Sequence, residues 1–325
     1  MPTELNVPAA CAVVVNPSKV PDLDAFRQTV TETLAKAGWP APVWYETTPE
    51  DPGRGQATAA LDEGAEVVFA AGGDGTVMAC ITALSGTDAA LAILPAGTGN
   101  LLAANLGLST DLAAGLGVAI EGGLRRLDVG RCEDANFAVM AGLGFDAKML
   151  DSTSETTKKR IGWPAYLIGA AKHLRDRPMR VTITIDGGPP LRRRAKTVLV
   201  ANVGRLQGGV RLLEAADPAD GKLDVAVLSP RTLGQWAAMA WAVARRHDRV
   251  PALEVFRGAR VSIESRKAEP RQLDGDLIDP GTRLDVEVQP KALWLCVPQP
   301  ADHPDLTSDA DAVAERAKRL MKTGQ

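Results

Sequence analysis

Glu66-Val67-Val68-Phe69-Ala70-Ala71-Gly72-Gly73-Asp74-Gly75-Thr76-Val77-Met78 is a short apolar run that passes directly into a glycine-rich turn. Val67, Val68 and Phe69 are β-formers in an unbroken apolar stretch, which predicts a strand covered on both faces, with a helix starting at Thr76. Gly72, Gly73 and Gly75 let the backbone approach a ligand closely and aim N–H groups at it, as phosphate oxygens require. Asp74 would repel phosphates, so its carboxylate suits a Mg²⁺ ion held directly or through water, or action on the group being phosphorylated. Many glycine turns after strands merely reverse the chain. A second unit sharpens the reading. Ala90 to Leu94 is another apolar strand, followed by Pro95-Ala96-Gly97-Thr98-Gly99-Asn100 and a helical pattern from Leu101 to Leu106. Two such strand-turn-helix units place both turns along one edge of a parallel sheet, where such sheets bind ligands.

These residues resemble the soluble bacterial lipid kinases of the diacylglycerol kinase type, which are related to eukaryotic diacylglycerol, ceramide and sphingosine kinases. Gly72-Gly73-Asp74-Gly75-Thr76 is similar to their nucleotide-binding loop, a motif shared with NAD kinases and distantly with phosphofructokinases. Pro95 to Asn100 is similar to their second loop, and the combination points to lipid. The resemblance runs from Val13 to about Val297. It implies an α/β nucleotide-binding domain with a parallel sheet, plus a second, mainly antiparallel β-sandwich domain. It implies ATP with Mg²⁺, contacted by Asn16, Pro17, Thr47, Gly72, Gly73, Asp74, Gly75, Thr76, Gly97, Thr98 and Asn100. Two positions depart from the family pattern nearby. Ser18-Lys19-Val20 replaces the usual Ser-Gly after Asn-Pro, and Leu101 stands where an acid commonly joins the Mg²⁺ network.

The totals bound the function classes. A chain of 325 residues with 45% apolar content can bury a large core, and its length suggests two domains. A net charge of −3 gives no bulk electrostatic case for nucleic acid. Cys11, Cys80, Cys132 and Cys296 lack any Cys-x-x-Cys spacing, so neither a disulfide framework nor a zinc site is expected, and a reducing cytoplasm fits. His173, His247 and His303 sit near no second ligand type at metal spacing and read as surface residues. The chain has no apolar run of about 18 or more residues, so any membrane contact is expected to be peripheral. The sequence leaves room for a homodimer.

In chain order, Cys11 to Val15 reads as the first strand, Asp22 to Ala37 as an amphipathic helix, Val43 to Glu46 as a strand and Gly55 to Glu63 as a helix. A helix over Leu108 to Glu121 follows. Then short strands at Arg125 to Val129 and Asn136 to Ala141, with turns at Glu133-Asp134 and Gly142-Leu143-Gly144, signal antiparallel sheet. The boundaries expected are 1–127 for the nucleotide domain, 128–298 for a β-rich lipid-binding domain and 299–325 for a C-terminal helix. Lys158-Lys159-Arg160 with Trp163 and Tyr166 opens a helical segment that suits either a membrane interface or an ordinary buried helix with a basic start. Strands are expected at Val181 to Ile185, Lys196 to Asn202, Leu223 to Leu228, Leu253 to Gly258, Arg260 to Glu264, Leu284 to Val288 and Ala292 to Val297. The helix Thr232 to Arg246 among them is apolar on more than one face, hence buried or lining an apolar cavity. The final helix, opened by Ser308 with Asp311 in a capping box, is expected to dock on the first domain as the family does.

Two elements of the second domain carry chemistry. Asp217-Pro218-Ala219-Asp220-Gly221-Lys222-Leu223-Asp224 resembles the family's Asp-Gly-x-Leu-Asp element, by which match Asp217, Asp220 and the Lys222 carbonyl would bind a structural Mg²⁺; Asp-Gly also makes a plain hairpin turn. Gln272-Leu273-Asp274-Gly275-Asp276 resembles the family's Asp-Gly-Glu motif, whose last carboxylate is the base for the lipid hydroxyl. Here that residue is Asp276, with a reach about 1.3 Å shorter. In the sphingosine kinase branch the proposed base corresponds to Asp74. The expected activity is an ATP-dependent lipid kinase acting in an interdomain cleft, located in the cytoplasm and peripherally on the membrane. The alternatives are an NAD kinase-like enzyme, or a nucleotide- or lipid-binding protein with decayed catalysis.

Overall fold

The computed structural model of the protein describes residues 3–4, 7–96, 102–103, 111–144, 177–204, 213, 216–230, 232–245 and 250–298. The second-loop residues Gly97, Thr98 and Asn100, with Leu101, lie outside the described residues, as do the basic-aromatic segment around Lys158, Lys159, Arg160 and Trp163 and the C-terminal helix. Among the described residues, those up to Leu127 and those from Lys291 onward make one compact unit, and Asp128–Pro290 makes a second.

The first unit runs β1 (Thr3–Glu4), β2 (Cys11–Val15), α1 (Leu23–Lys36), β3 (Val43–Glu46), α2 (Arg54–Asp62), β4 (Val67–Gly72), α3 (Asp74–Leu84), β5 (Ala90–Pro95) and α4 (Leu112–Glu121), and enters β6 (Gly123–Cys132). Strands pair in parallel in the order β5-β4-β2-β3. Every residue of β2 and β4 is buried, as continuous apolar runs require when helices cover both faces of a sheet. β3 lies at the edge and keeps Val43 and Glu46 exposed. Asp22 caps α1 by accepting the Ala25 N–H at 2.9 Å, and the helix buries Val30 and Leu34 in a core that also holds Trp39 and Phe69, with ring centroids 5.9 Å apart. The helix expected from Thr76 begins at Asp74, because Gly73 takes the extended N-cap conformation. That shift puts Asp74, Gly75 and Thr76 in the helix's first turn.

The second unit contains β7 (Ala135–Phe137), β8 (Met140–Gly144), β9 (Met179–Ile185), β10 (Leu191–Ala195), β11 (Thr197–Ala201), β12 (Leu223–Leu228), α5 (Leu233–Ala244), β13 (Leu253–Gly258), β14 (Arg260–Leu273) and most of β15 (Asp276–Val297). Among the described residues, the pairings of β7 to β14 are antiparallel. β11 lies between β12 and β8, β12 also pairs β13, and β9 pairs β10. The first half of β14 pairs β9, its last residues Arg271, Gln272 and Leu273 pair β8, and register shifts flank Glu269 between the two. Bulges of this kind bend a strand and let it serve two parts of a sandwich. Pro270 sits at the irregularity, where the missing N–H is tolerated. Gly142-Leu143-Gly144, expected as a turn, lies inside β8 and pairs with both β11 and β14; the positive φ of 105° at Gly144 marks the strand's end. Val181, Ile183, Leu223, Val225, Val261, Ile263 and Leu284 form the core. α5 buries Trp236, Met239 and Ala242 and exposes Trp241, over whose ring the Arg245 guanidinium lies 4.4 Å from the centroid. The end of β15 belongs to the first unit, where Trp294 and Leu295 pair in parallel with Ala90 and Leu91. Among the described residues, no helix is long and apolar enough to cross a membrane.

Candidate active site

Register levels the carboxyl ends of the first unit's strands: Val15 lies opposite both Glu46 and Ala71, and Gly72 lies opposite Pro95. The residues that follow therefore emerge along one edge. Asn16 donates its N–H to the Ala71 carbonyl at 2.8 Å, and Thr47 donates to Val15 at 2.9 Å, so both extend the ladders before turning away. Asn16, Pro17, Thr47 and Gly72 to Thr76 are thus brought to a common edge. The Asn16 carboxamide oxygen accepts from Ser18 N at 3.0 Å and Ser18 Oγ at 2.7 Å and so caps the 3-10 turn Pro17–Lys19. Thr47 and Thr76 are buried, Asp74 is half-buried and Gly75 is exposed.

The three loop glycines are present for different reasons. A Cβ on Gly72 would lie 2.5 Å from Thr76 Oγ1 and 2.6 Å from Thr76 Cβ, so the fold itself demands glycine there. A Cβ on Gly73 or Gly75 meets nothing within 4 Å, and neither residue has a positive φ. Among the described residues, nothing requires glycine at those two positions. They leave bare backbone at the start of α3, whose first N–H groups lie outside the intrahelical ladder and whose dipole favours an anion.

In the second unit Asp274 and Gly275, with φ of 48° and 98°, form the two-residue turn joining β14 to β15. The Asp274 carboxylate accepts from Ala138 N at 2.7 Å, Val139 N at 2.9 Å and Met140 N at 2.8 Å, while its own N–H donates to the Met140 carbonyl at 2.8 Å. Gly275 N donates to Gln272 Oε1 at 2.7 Å. Behind the turn, Arg271 donates to the Asp279 and Arg283 carbonyls at 2.7 and 3.1 Å and to Glu133 Oε1 at 2.8 Å. Gly281 leaves room for that guanidinium, since a Cβ there would come within 3.0 Å of Arg271 Nε. Asp276 begins β15 on the exposed side of this braced hairpin. The two neighbouring acids are separated in role: Asp274 organises backbone, and Asp276 faces solvent.

The 217–222 loop is also internally braced. Asp217 Oδ1 accepts from Ala219 N at 3.1 Å, Asp220 Oδ1 accepts from Lys222 N at 2.9 Å, and the buried Asp128 carboxylate accepts from Gly221 N at 2.6 Å. Asp220 Oδ2 pairs with Arg257 Nη2, whose Nε lies 3.1 Å from Asp224 Oδ1. In the donor set expected for Mg²⁺, both Asp220 oxygens already have partners, one a backbone N–H and the other a guanidinium. Among the described residues, no group of three or more His, Cys, Asp or Glu side chains is arranged to hold a metal ion. Arg257, Asp128, Arg271 and the bracing role of Asp274 were not anticipated from sequence. Arg257 faces Asp224 only through the β12–β13 pairing, whose two strands are separated in sequence by α5, so no local pattern announces it.

Thiol chemistry is absent from the candidate site. All four cysteines are free and buried, and burial pushes Cys80 and Cys296 up to about 12 and Cys11 and Cys132 up to about 11.

A glycine loop between a buried parallel strand and a helix, in a chain that continues into an antiparallel β unit, defines the fold class shared by diacylglycerol kinases and NAD kinases. Residues 10–132 match the diacylglycerol kinase catalytic domain, and residues 138–297 match the YegS C-terminal NAD kinase beta sandwich-like domain. A candidate YegS-like lipid kinase of Chromohalobacter salexigens is 33% identical over 228 residues, covering 67% of this chain and 71% of that one. A diacylglycerol kinase of Mycobacterium tuberculosis is 32% identical over 178 residues; the match spans 51% of this chain and 56% of the relative. The chain thus aligns with little more than half the length of that relative. A candidate diacylglycerol kinase structure from Bacillus anthracis Sterne superposes with a TM-score of 0.75 at 21% identity, covering 91% of this chain and 97% of that one, which shows the fold. The chain belongs to the YegS-like family of diacylglycerol kinase-type lipid kinases.

Proposed function

We propose that the protein transfers the γ-phosphoryl group of ATP to a lipid hydroxyl, of diacylglycerol or a similar lipid. The observation that carries this reading is the pair Gly73 and Gly75: bare backbone with open space around it among the described residues, at a helix start, within the stretch that matches the diacylglycerol kinase catalytic domain. In this reading the N–H groups of the first turn of α3 receive phosphate oxygens, and Asp74 organises the Mg²⁺ that accompanies ATP. Asn16, Pro17 and Thr47 flank the nucleotide, and Gly97, Thr98 and Asn100 complete its loop set. The lipid oxygen attacks the γ-phosphorus as the bond to the ADP oxygen breaks, and Asp276 takes the hydroxyl proton. Phosphoryl transfer asks chiefly for positioning and charge neutralisation, which needs no covalent nucleophile.

Lipid access by peripheral membrane contact is part of the proposal, and the exposed Trp241 stacked with Arg245 is of the type that suits an interface. The nucleotide half of the reading is tested by Gly73→Ala and Gly75→Ala. Both are expected to fold with wild-type melting temperature, because the added methyl meets open space, and to bind Mg-ATP more weakly in calorimetric titration. Unchanged ATP affinity in both would remove the loop from the site.

A further inference from the structure

The loop from Asp217 to Asp224 gathers three aspartates within eight residues, and the buried Asp128 carboxylate joins them by accepting from Gly221 N. Such a loop concentrates carboxylates, which a nearby cation stabilises. Asp224 is almost fully buried, its side chain only 3% exposed, and Asp220 Oδ2 lies close enough to pair with the same guanidinium that reaches Asp224. The position of that guanidinium is set by the sheet. Arg257 lies directly opposite Asp224 in the antiparallel β12–β13 pairing, so their side chains share one face. From there its Nε reaches Asp224 Oδ1 at 3.1 Å while Nη2 reaches Asp220 Oδ2. One planar fork with two of its donors committed thereby joins the loop's Asp220 to the strand's Asp224, a geometry that a spherical ion does not need and lysine cannot supply.

We propose that Arg257 is the resident cation of this loop, and that it makes the loop's order independent of a divalent metal. The remaining loop bonds support the same assignment. Asp220 Oδ1 takes Lys222 N at 2.9 Å and Asp217 Oδ1 takes Ala219 N at 3.1 Å, so these two aspartates are oriented by backbone donors while Arg257 pairs with Asp220 and Asp224. A metal bridging Asp220 would have to displace a hydrogen-bonded guanidinium that is held in place by its own strand. The inference does not rest on the kinase reading: the quantity measured is local protection in the nucleotide-free protein, and it stands or falls whether or not the protein phosphorylates a lipid.

Hydrogen exchange of the 217–224 segment, read by mass spectrometry on the full chain without nucleotide, is the test. In wild type, exchange is expected to be the same in EDTA and in millimolar Mg²⁺, Mn²⁺ or Ca²⁺, with Gly221 and Lys222 amides protected in each. Loss of that protection on chelation would overturn the proposal. Arg257→Met is expected to expose the segment at least tenfold faster in EDTA, since it leaves the buried Asp224 without its cation; wild-type protection in that variant would equally overturn it. Should Arg257→Met fail to fold, Arg257→Lys supplies the reading. It keeps one charge but cannot span both carboxylates, so protection is expected to fall; retention of full protection would refute the bridging role.

Discussion

Replacing Asp274 by asparagine separates scaffold from chemistry in the hairpin that presents Asp276. Asparagine accepts the positive φ of 48° at this position, so the backbone turn is kept and only the carboxylate is removed. Wild-type Asp274 receives three backbone N–H groups, from Ala138, Val139 and Met140, all buried residues. Leaving a buried donor unsatisfied costs about 1–3 kcal/mol, and asparagine's single carbonyl oxygen can satisfy part of the set but not all of it. With its amide turned toward at least one of those donors, a loss of about 2–4 kcal/mol is expected. For a unit of this size that corresponds to a fall of about 4–16 °C in melting temperature, at about 2–4 °C per kcal/mol. Differential scanning calorimetry of Asp274→Asn beside Asp276→Asn is the assay. Asp276 is exposed, so its variant is expected to melt with wild type. Equal melting of Asp274→Asn and wild type would refute the bracing role and the reasoning that distinguishes the two acids.

Asp276→Asn is expected to lower kcat by roughly 10²–10⁴-fold with ATP affinity unchanged, and Asp276→Glu to retain activity; an unaltered turnover-pH profile in the asparagine variant would transfer the proton-accepting role to Asp74. The buried thiols, pushed up to about 11 or 12, are expected to resist a disulfide reagent in the native protein and to titrate as four per chain after denaturation; rapid native labelling would contradict the burial. For pH, burial raises Asp224 above its ordinary carboxylate value while Arg257 pulls it down. A raised carboxylate pKa means that the folded state holds the proton more tightly, so its contribution is full below the unfolded value and is lost as pH rises through the folded one. Without Arg257 the rise is larger. The stability gap between wild type and Arg257→Met is therefore expected to widen from the ordinary carboxylate range toward neutrality, and a gap that is constant or narrows would refute it.

The parts legible in sequence were those with a local cause. Val67 to Gly72 reads as a buried strand because its apolar run is unbroken, and glycine at 72 follows from the close approach of Thr76, four residues on. The helix start moved from Thr76 to Asp74 because capping by an extended glycine leaves no polar side chain to announce it. Pro270 and Pro280 hid the lengths of β14 and β15, since a proline at a register shift breaks no ladder bond that was needed there. β10, Leu-Arg-Arg-Arg-Ala, was missed because charged edge strands carry little apolar alternation. The bracing of Asp274 by Ala138 to Met140 joins residues more than 130 positions apart, and the Asp128 to Gly221 bond spans 93. Such pairings depend on tertiary register that no local pattern encodes. The same holds for Arg257, whose partnership with Asp224 is a consequence of strand pairing.

The most direct measurement incubates the protein with γ-labelled Mg-ATP and either a lipid extract or NAD, and partitions the label between organic and aqueous phases. The account predicts label in the organic phase, with lipid, and its loss in Asp276→Asn. Label transferred to NAD in the aqueous phase, or no transfer to any lipid while ATP still binds, would contradict it.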